Sequence, residues 1–501
     1  MTGPLFVGVD VGTQSAKAAV FELSGVCLGE AAVPLALHRR GADEVEQEPE
    51  DFYLAATAVI ASCASASGRP GDVAGIAVAG QMAGVLGVGA DGRAVTPYDS
   101  WLDSRCRAEV EMIAARLGDR LVELSGCPSM VAHAPKISWW RRHRPDTYGQ
   151  VARFVVPGAF VAGRLCDLDA TGAYIDTTYL HFSGLADTAH ATWSPELATG
   201  SEVELDKLPR ILAPTDMVGH LSAVAARDCG LPPGTPVAAG LGDTAAGALG
   251  AGIVAPGQLL DTAGTASVLA LSTTAFRPDL SGTLVQMRGA VPGQWLALAY
   301  LAGGDLLRWL PEVLGAACLE DLIKEASGRG GARLLFVPHL GGRILPAAPA
   351  ARGAWVGLDL SQTRGALARA VLESVAFEYA GFLDVARRLF PDVAPGDVRV
   401  IGGGGDDALW NEIKASVLHR PYVRLGRESF SCWGAALVAA AAAGAVDDLA
   451  ALALSSTAEV DRALPDPDLE ALYARRRRDY TATVNLLVPA PEGRPHQEVH
   501  V

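Results

Sequence analysis

Asp243 is the residue of this chain best placed to do chemistry. It follows Gly240 and Gly242, which allow a sharp turn after the small apolar run Val237-Ala238-Ala239. It also opens the small-residue stretch 244–249, which reads as the start of a helix. A carboxylate there has two readings. It caps the helix and is kept ionised by the helix dipole, or it is a general base at the mouth of a cleft, taking a proton from a reacting group. A second acid, Asp10, stands in the turn Asp10-Val11-Gly12-Thr13 between the strand-like runs 6–9 and 17–21. Such a turn can hold phosphate oxygens with N–H and O–H donors while its carboxylate orients the shell of a Mg2+ ion, or it is an ordinary hairpin turn.

The same chemistry recurs far along the chain. Gly12-Thr13-Gln14-Ser15 is echoed by Gly264-Thr265-Ala266-Ser267, each after an acid on the incoming strand, Asp10 and Asp261. Two matching hairpins predict a duplicated fold with a phosphate held between its halves. Other stretches offer sites for the remaining parts of a substrate. Gln81 and Met82 lie between strand-like runs, and Trp101 and Asp103 follow another. Trp101 could stack on carbon–hydrogen faces and Asp103 accept hydroxyl hydrogen bonds, or the two are a core tryptophan and a surface ion pair. Four glycines, 402–405, follow the strand 398–401 and precede a helix that includes Ala408; a bare backbone there suits an adenine or ribose, or is a flexible loop.

These residues need elements to position them. The pattern predicts a helix over 364–389 with Thr363 as its cap, and a helix that carries 136–140 and ends in Arg141-Arg142-His143. Stretch 434–444 reads as a small-residue helix suited to close packing, and Gly303 and Gly304 precede a helix at 306–310. His133, His181 and His190 read as structural or surface histidines, and Arg475 to Arg478 as the solvated face of a late helix.

Composition bounds the partners. With 501 residues and 50% hydrophobic content, the chain can build two or three domains with real cores. A net charge of −15 argues against nucleic acid or an anionic membrane as a partner. Eight scattered cysteines without paired spacing read as reduced thiols of a cytoplasmic protein, the N-terminus does not read as a signal peptide, and stretch 434–446 is too short to span a bilayer.

Taken in order, the motifs resemble the FGGY carbohydrate kinases, within the actin, sugar-kinase and Hsp70 ATPase superfamily. They are Asp10 to Thr13, the strip Gly242-Asp243 with Ala245-Ala246-Gly247, Gly264-Thr265, and the glycines 402–405. The family signatures are met in part at 135–139 and largely at 353–373. Gln81-Met82 is similar to the corresponding strip of the xylulokinases, with Ala83 where they carry a histidine, and Asp406-Asp407 stand where Lys-Ser is common. The resemblance implies an α/β fold of two ribonuclease H-like domains around a deep interdomain cleft: 1–251 on the sugar side, 252–484 on the ATP side, then a tail at 485–501. It implies Asp243 as catalytic base and Asp10 as the Mg2+ residue. Gly12, Thr13, Gln14, Gly264, Thr265, Gly304, Gly403, Gly404, Gly405 and Ala408 fall at ATP, and Gln81, Met82, Ala83, Trp101, Asp103 and Asp243 at the sugar. The implied activity is ATP-dependent phosphorylation of a primary hydroxyl, first of D-xylulose, alternatively of L-xylulose, ribulose, erythritol or glycerol. A non-catalytic actin-like ATP-binding module is a further alternative. The partner is a small sugar or polyol, not nucleic acid or membrane, and a homodimer is an expectation of the family alone.

Overall fold

A computed structural model describes residues 3–263, 267–301, 303–327, 333–427 and 429–488. The predicted first hairpin is present: strand β1 (Leu5–Val11) turns into β2 (Ser15–Glu22), with Asp10 opposite Lys17, and β3 (Cys27–Pro34) continues the meander. A short strand β4 (Val45–Gln47) precedes helix α1 (Pro49–Ala66), which starts with proline and two acids in its first turn, as the helix dipole favours. Strand β5 (Val73–Gly80), short β6 (Tyr98–Asp99), helix α2 (His133–His143), β7 (Met217–His220), β8 (Pro236–Ala238), β9 (Leu241–Gly242) and helix α3 (Asp243–Gly250) are the elements of the first half that bear on the site. The second half carries β10 (Leu259–Ala263), β11 (Ser267–Thr273), β12 (Val285–Arg288), β13 (Trp295–Leu301), helix α4 (Gly303–Leu314), helix α5 (Arg364–Leu389), β14 (Val398–Ile401), helix α6 (Ala408–Leu418), β15 (Tyr422–Leu425), helix α7 (Phe430–Ala442), β16 (Glu459–Ala463) and helix α8 (Glu470–Leu487).

Strand order shows the duplication directly. The first sheet runs β7-β8-β5-β1-β2-β3, with β9 beside β5, and the second runs β12-β13-β11-β10-β14-β15-β16. Read from β3, the first is antiparallel to β2 and again to β1, parallel to β5 and to β8, then antiparallel to β7. Read from β13, the second repeats every step through β11, β10, β14, β15 and β16. The echoed acids therefore lie on equivalent strands, β1 and β10. Their fates differ. Asp261 is wholly buried, ion-paired with Lys414 at 2.6 Å and accepting from the Tyr379 hydroxyl at 2.8 Å, so it joins β10 to α5 and α6 rather than facing a ligand.

Several local expectations hold for local reasons. Thr363 caps α5 by accepting from the Ala366 N–H at 3.2 Å. The helix near Gly304 begins at Gly303 rather than at 306. The arginine run departs from its reading: Arg476 is buried, donating to the Leu334 carbonyl at 2.8 Å and pairing with Glu373, and Arg477 pairs with Asp384. An exposed run on a helix must still send one residue in about four inward, and here that residue locks α8 to α5.

The predicted small-residue helix, α7, packs on the first half although it lies late in the chain. Its backbone presses on β1 and α3: a Cβ on Gly8 would lie 1.7 Å from the Cys432 carbonyl oxygen, and one on Gly434 2.0 Å from that of Ala246. Helix α1 covers the strands from the side of Gly29, where a Cβ would meet the Cys63 carbonyl oxygen at 2.5 Å. Among the described residues no helix is long and apolar enough to cross a membrane, and all eight cysteines are free.

Candidate active site

Asp10 and Asp243 meet at the C-terminal ends of neighbouring parallel strands, where α/β sheets commonly bind ligands. Asp10 pairs with Ala79 of β5, and Gly242 pairs with Gly80 one residue further along the same strand. Asp243 thus emerges beside Asp10 across the end of β5. Gly240 makes the approach feasible: it has φ +77°, and a Cβ there would lie 2.0 Å from the Val78 carbonyl oxygen. Thr178 fixes the next step, its hydroxyl accepting from the Gly242 N–H at 2.8 Å while Asp176 accepts from the Thr178 N–H at 2.9 Å.

Asp243 is not the helix cap. Gly242 holds that place without a side-chain bond, and the Asp243 carboxylate instead accepts from the N–H of Thr244 at 2.6 Å and its hydroxyl at 3.2 Å. Nor is it an ordinary carboxylate. Desolvation outweighs these bonds and pushes it up to about 6. Asp10 rises to about 7, first through burial and then through the charge of Asp243, against the pull of Lys17 and of the Ser431 hydroxyl. The two carboxyls raise each other's cost of ionising and titrate as a pair. Gly8 and Asp10, two apart on β1, point to the same face, towards α7, which is how Ser431 reaches this acid.

One Asp10 oxygen, Oδ1, is buried without a hydrogen-bond partner among the described residues. An orphaned carboxylate oxygen next to a second acid fits a hard divalent cation that takes its remaining ligands from water or phosphate. No set of three acidic, histidine or cysteine ligands occurs among the described residues.

The acceptor-side residues converge in part. The Thr13 hydroxyl donates to Gln81 Oε1 at 3.0 Å and accepts from Trp101 Nε1 at 2.9 Å. Gln81 Nε2 donates to Gln47 Oε1 at 2.9 Å, and Gln47 Nε2 donates to the Thr13 carbonyl at 3.0 Å. Thr13, Gln81 and Trp101 are therefore one wall. The Thr13 hydroxyl proton is engaged within it rather than free for a phosphate, and the Gly12 N–H closes the hairpin onto the Ser15 carbonyl at 3.1 Å. Met82 lies against Gly242, with its methyl carbon 2.7 Å from where a Cβ would stand. Ala83 sits at φ 61°, a left-handed conformation an alanine adopts only under constraint, as backbones at functional sites often are.

Asp103 corrects an expectation. It is fully buried; both its oxygens are taken by Arg105, and Oδ2 also accepts from the Val45 N–H at 2.8 Å. Arg105 binds Glu46 and Asp99 as well, and Lys136 donates to the Ser100 and Asp103 carbonyls at 2.7 and 2.9 Å. Asp103 braces the loop that presents Trp101 and has no oxygen left for a sugar.

On the second half, Gly403, Gly404 and Gly405 form a turn of 3-10 helix leading to Ala408, the first residue of α6. Gly403 has open space beside it, while a Cβ on Gly404 would lie 2.7 Å from the Trp410 ring. Asp407 is the N-cap of α6, accepting from the Trp410 N–H at 2.7 Å, and exposed Asp406 pairs with Arg424. Gln14 is exposed on the first hairpin, and Gly304 lies in the first turn of α4. Gly264 and Thr265 lie outside the described residues.

Gln47 and Ser431 went unread in the sequence. Each is brought in from a distant segment, and neither sits in a pattern of its own.

His133 and His181 are buried beneath the site, and burial pushes both down to about 3, as expected of structural histidines. The unfolded chain protonates them near 6.5, so it binds more protons between those values, and their contribution to stability is complete above about pH 6.5 and lost as pH falls towards 3. The buried aspartates act in the opposite sense, so the histidine contribution is read as a difference. Between pH 7 and pH 5 the urea-unfolding free energy of His181→Gln is expected to fall roughly 2 kcal/mol less than that of wild type. Parallel losses in the two proteins would refute the buried-neutral assignment.

Models of the FGGY carbohydrate kinases match the chain twice, the N-terminal domain over residues 5–250 and the C-terminal domain over 260–443. The chain is 27% identical to a xylulose kinase of Escherichia coli over 97% of this chain and 99% of that one. It is 23% identical to a gluconokinase of Bacillus subtilis over 89% of each. A solved xylulose kinase from Rhodospirillum rubrum superposes with a TM-score of 0.88 at 28% identity, covering 96% of this chain and 99% of that one.

Proposed function

Because this chain belongs to the FGGY family of carbohydrate kinases, with that family's two-domain α/β fold and sugar phosphotransferase activity, we propose that it transfers the γ-phosphoryl group of ATP to a primary hydroxyl of a ketopentose, D-xylulose first. The observation that carries the site assignment is the convergence of Asp10 and Asp243 at the end of β5, one acid raised to about 6 and the other retaining an orphaned oxygen.

Asp243 takes the proton of the acceptor hydroxyl as its oxygen bonds to the γ-phosphorus and the bond to the β-phosphate bridging oxygen breaks, releasing ADP. Raised to about 6, it is still largely ionised at pH 7 and a stronger base than a solvated aspartate. Its bond from Thr244 and the prop from Thr178 to Gly242 hold it in line. Asp10, steadied by Ser431, holds Mg2+, which when bound offsets the charge of the phosphates. The wall of Thr13, Gln81 and Trp101 takes the sugar side, and the bare backbone at Gly403 to Gly405 takes the nucleotide. Asp406 and Asp407 do not obstruct this: one caps α6 and the other faces solvent.

Ala83 in place of the histidine leaves room that a xylulokinase-like strip fills, and a gluconokinase is among the relatives, so the acceptor is the open choice. ADP release from the purified enzyme over D-xylulose, L-xylulose, ribulose, erythritol, glycerol and gluconate is expected to be highest with a pentulose. ADP release indifferent to every acceptor would overturn the kinase reading of this chain.

A further inference from the structure

One buried glutamine fixes the direction of the hydrogen bonds that link Gln81, Thr13 and Trp101. Gln47 ends β4, a strand of three buried residues, and is itself 1% exposed. Its Nε2 donates to two backbone carbonyls, Thr13 at 3.0 Å and Ala36 at 3.2 Å. A carbonyl oxygen can only accept, so the end of the amide that faces this pair is the nitrogen and the other end is the oxygen. That oxygen needs a donor, which sets the Gln81 amide as well: its Nε2 faces Gln47 at 2.9 Å and its Oε1 faces the Thr13 hydroxyl at 3.0 Å. The hydroxyl proton is thereby spent on Gln81, and the Thr13 oxygen turns a lone pair to Trp101, whose indole N–H can only donate. Both ends of the chain demand the same direction. Turning the Gln81 amide over would set its oxygen against that of Gln47.

Strand β4 also holds the loop that carries Trp101, but through other atoms. The Val45 carbonyl accepts from the Ser100 N–H at 3.1 Å, the Val45 N–H donates to Asp103 at 2.8 Å, and the Glu46 carboxylate accepts from Arg105 at 2.7 Å. The backbone on both sides of Trp101 is therefore fixed without the Gln47 side chain. The indole is not: Trp101 is 38% exposed, and its N–H has one acceptor among the described residues, the Thr13 hydroxyl.

On the reading of this wall as the sugar side of a kinase site, we propose that Gln47 is a positioning residue for the acceptor. It touches no substrate; it acts through Gln81 and Thr13 to seat the Trp101 ring. With its N–H spent on Thr13, the indole offers the acceptor a ring face for carbon–hydrogen contacts rather than a donor for hydroxyls. Without the Gln47 oxygen, the Gln81 amide is free to turn over, the Thr13 proton loses its fixed acceptor, and the ring loses its seat.

The test is a double-mutant cycle on the acceptor KM, with the best acceptor of the wild-type enzyme at saturating ATP. Gln47→Met is expected to raise that KM about ten-fold, the worth of one neutral hydrogen bond, with kcat changed less than about three-fold, and Trp101→Phe to raise it by at least as much. Because Gln47 acts through the indole, Gln47→Met is expected to add less than about two-fold in the Trp101→Phe background. A residue that only supported the fold would act alike in both backgrounds. Thr13→Val breaks the chain at its middle and leaves both carbonyls bonded to Gln47, so it decides the matter if Gln47→Met does not fold: it too is expected to raise the acceptor KM and to add nothing to Trp101→Phe. An acceptor KM within two-fold of wild type in Gln47→Met, or an effect of either variant that multiplies with that of Trp101→Phe, would overturn the proposal and leave the kinase assignment standing. A wild-type enzyme that phosphorylates no acceptor would remove both this inference and the reading it rests on.

Discussion

Asp243→Asn is expected to reduce sugar-dependent ADP release by about 10³-fold or more, near the upper range for loss of a positioned general base. The amide keeps the shape of the side chain and can still accept from the Thr244 N–H, so the start of α3 is preserved. It also removes a charge that burial disfavours, since the carboxyl is pushed up to about 6. The variant should therefore melt no lower than wild type and still bind ATP in a calorimetric titration. That combination separates lost chemistry from lost structure. Turnover within ten-fold of wild type would show that the proton leaves by another route.

Gly8→Ala is expected to be the most damaging added methyl group among the described glycines. Its Cβ would stand 1.7 Å from the Cys432 carbonyl oxygen and 2.8 Å from the Ala436 nitrogen, both backbone atoms of α7. No rotamer relieves a clash with backbone, so the helix must move away from β1 along its length. Overpacking of this kind costs about 3 kcal/mol or more. Gly149→Ala is the control: it lies in a helix with nothing within 4 Å of its Cβ position, and should be neutral or stabilising by up to about 1 kcal/mol. Urea midpoints of the two variants check both statements. A Gly8→Ala midpoint indistinguishable from wild type would mean that α7 is not seated as described.

What could be read from the chain alone was mostly local. The turn after Asp10, the Thr363 cap and the strand before the four glycines depend on residues a few positions apart, and each is present. The echo of Gly12-Thr13 at Gly264-Thr265 pointed to the duplication, but strand order, not the echoed turn, is what demonstrates it. Long-range partners were out of reach. Asp103 could be read as a hydroxyl acceptor or as half of an ion pair; the pair with Arg105 is local, but its burial depends on Glu46 and the Val45 N–H, which only the fold brings in. Arg476 looked solvated because its neighbours Arg475 and Arg478 are exposed. Asp243 sat one residue past the cap, a shift too small for a glycine-rich pattern to fix. Its basicity depends on how deeply it is packed, which composition does not encode.

The seating of α7 has a bearing on how the protein is made. A ribosome that has released the first 251 residues has produced β1 and β5 but not the helix that closes over Gly8 and Gly75. The nascent first half must wait, with one side of its floor bare and apolar, until residues 430–442 have been translated. Severed copies of the two halves, made separately, should therefore be poor soluble proteins, whereas co-expressed fragments that share this helix have a route to reassemble.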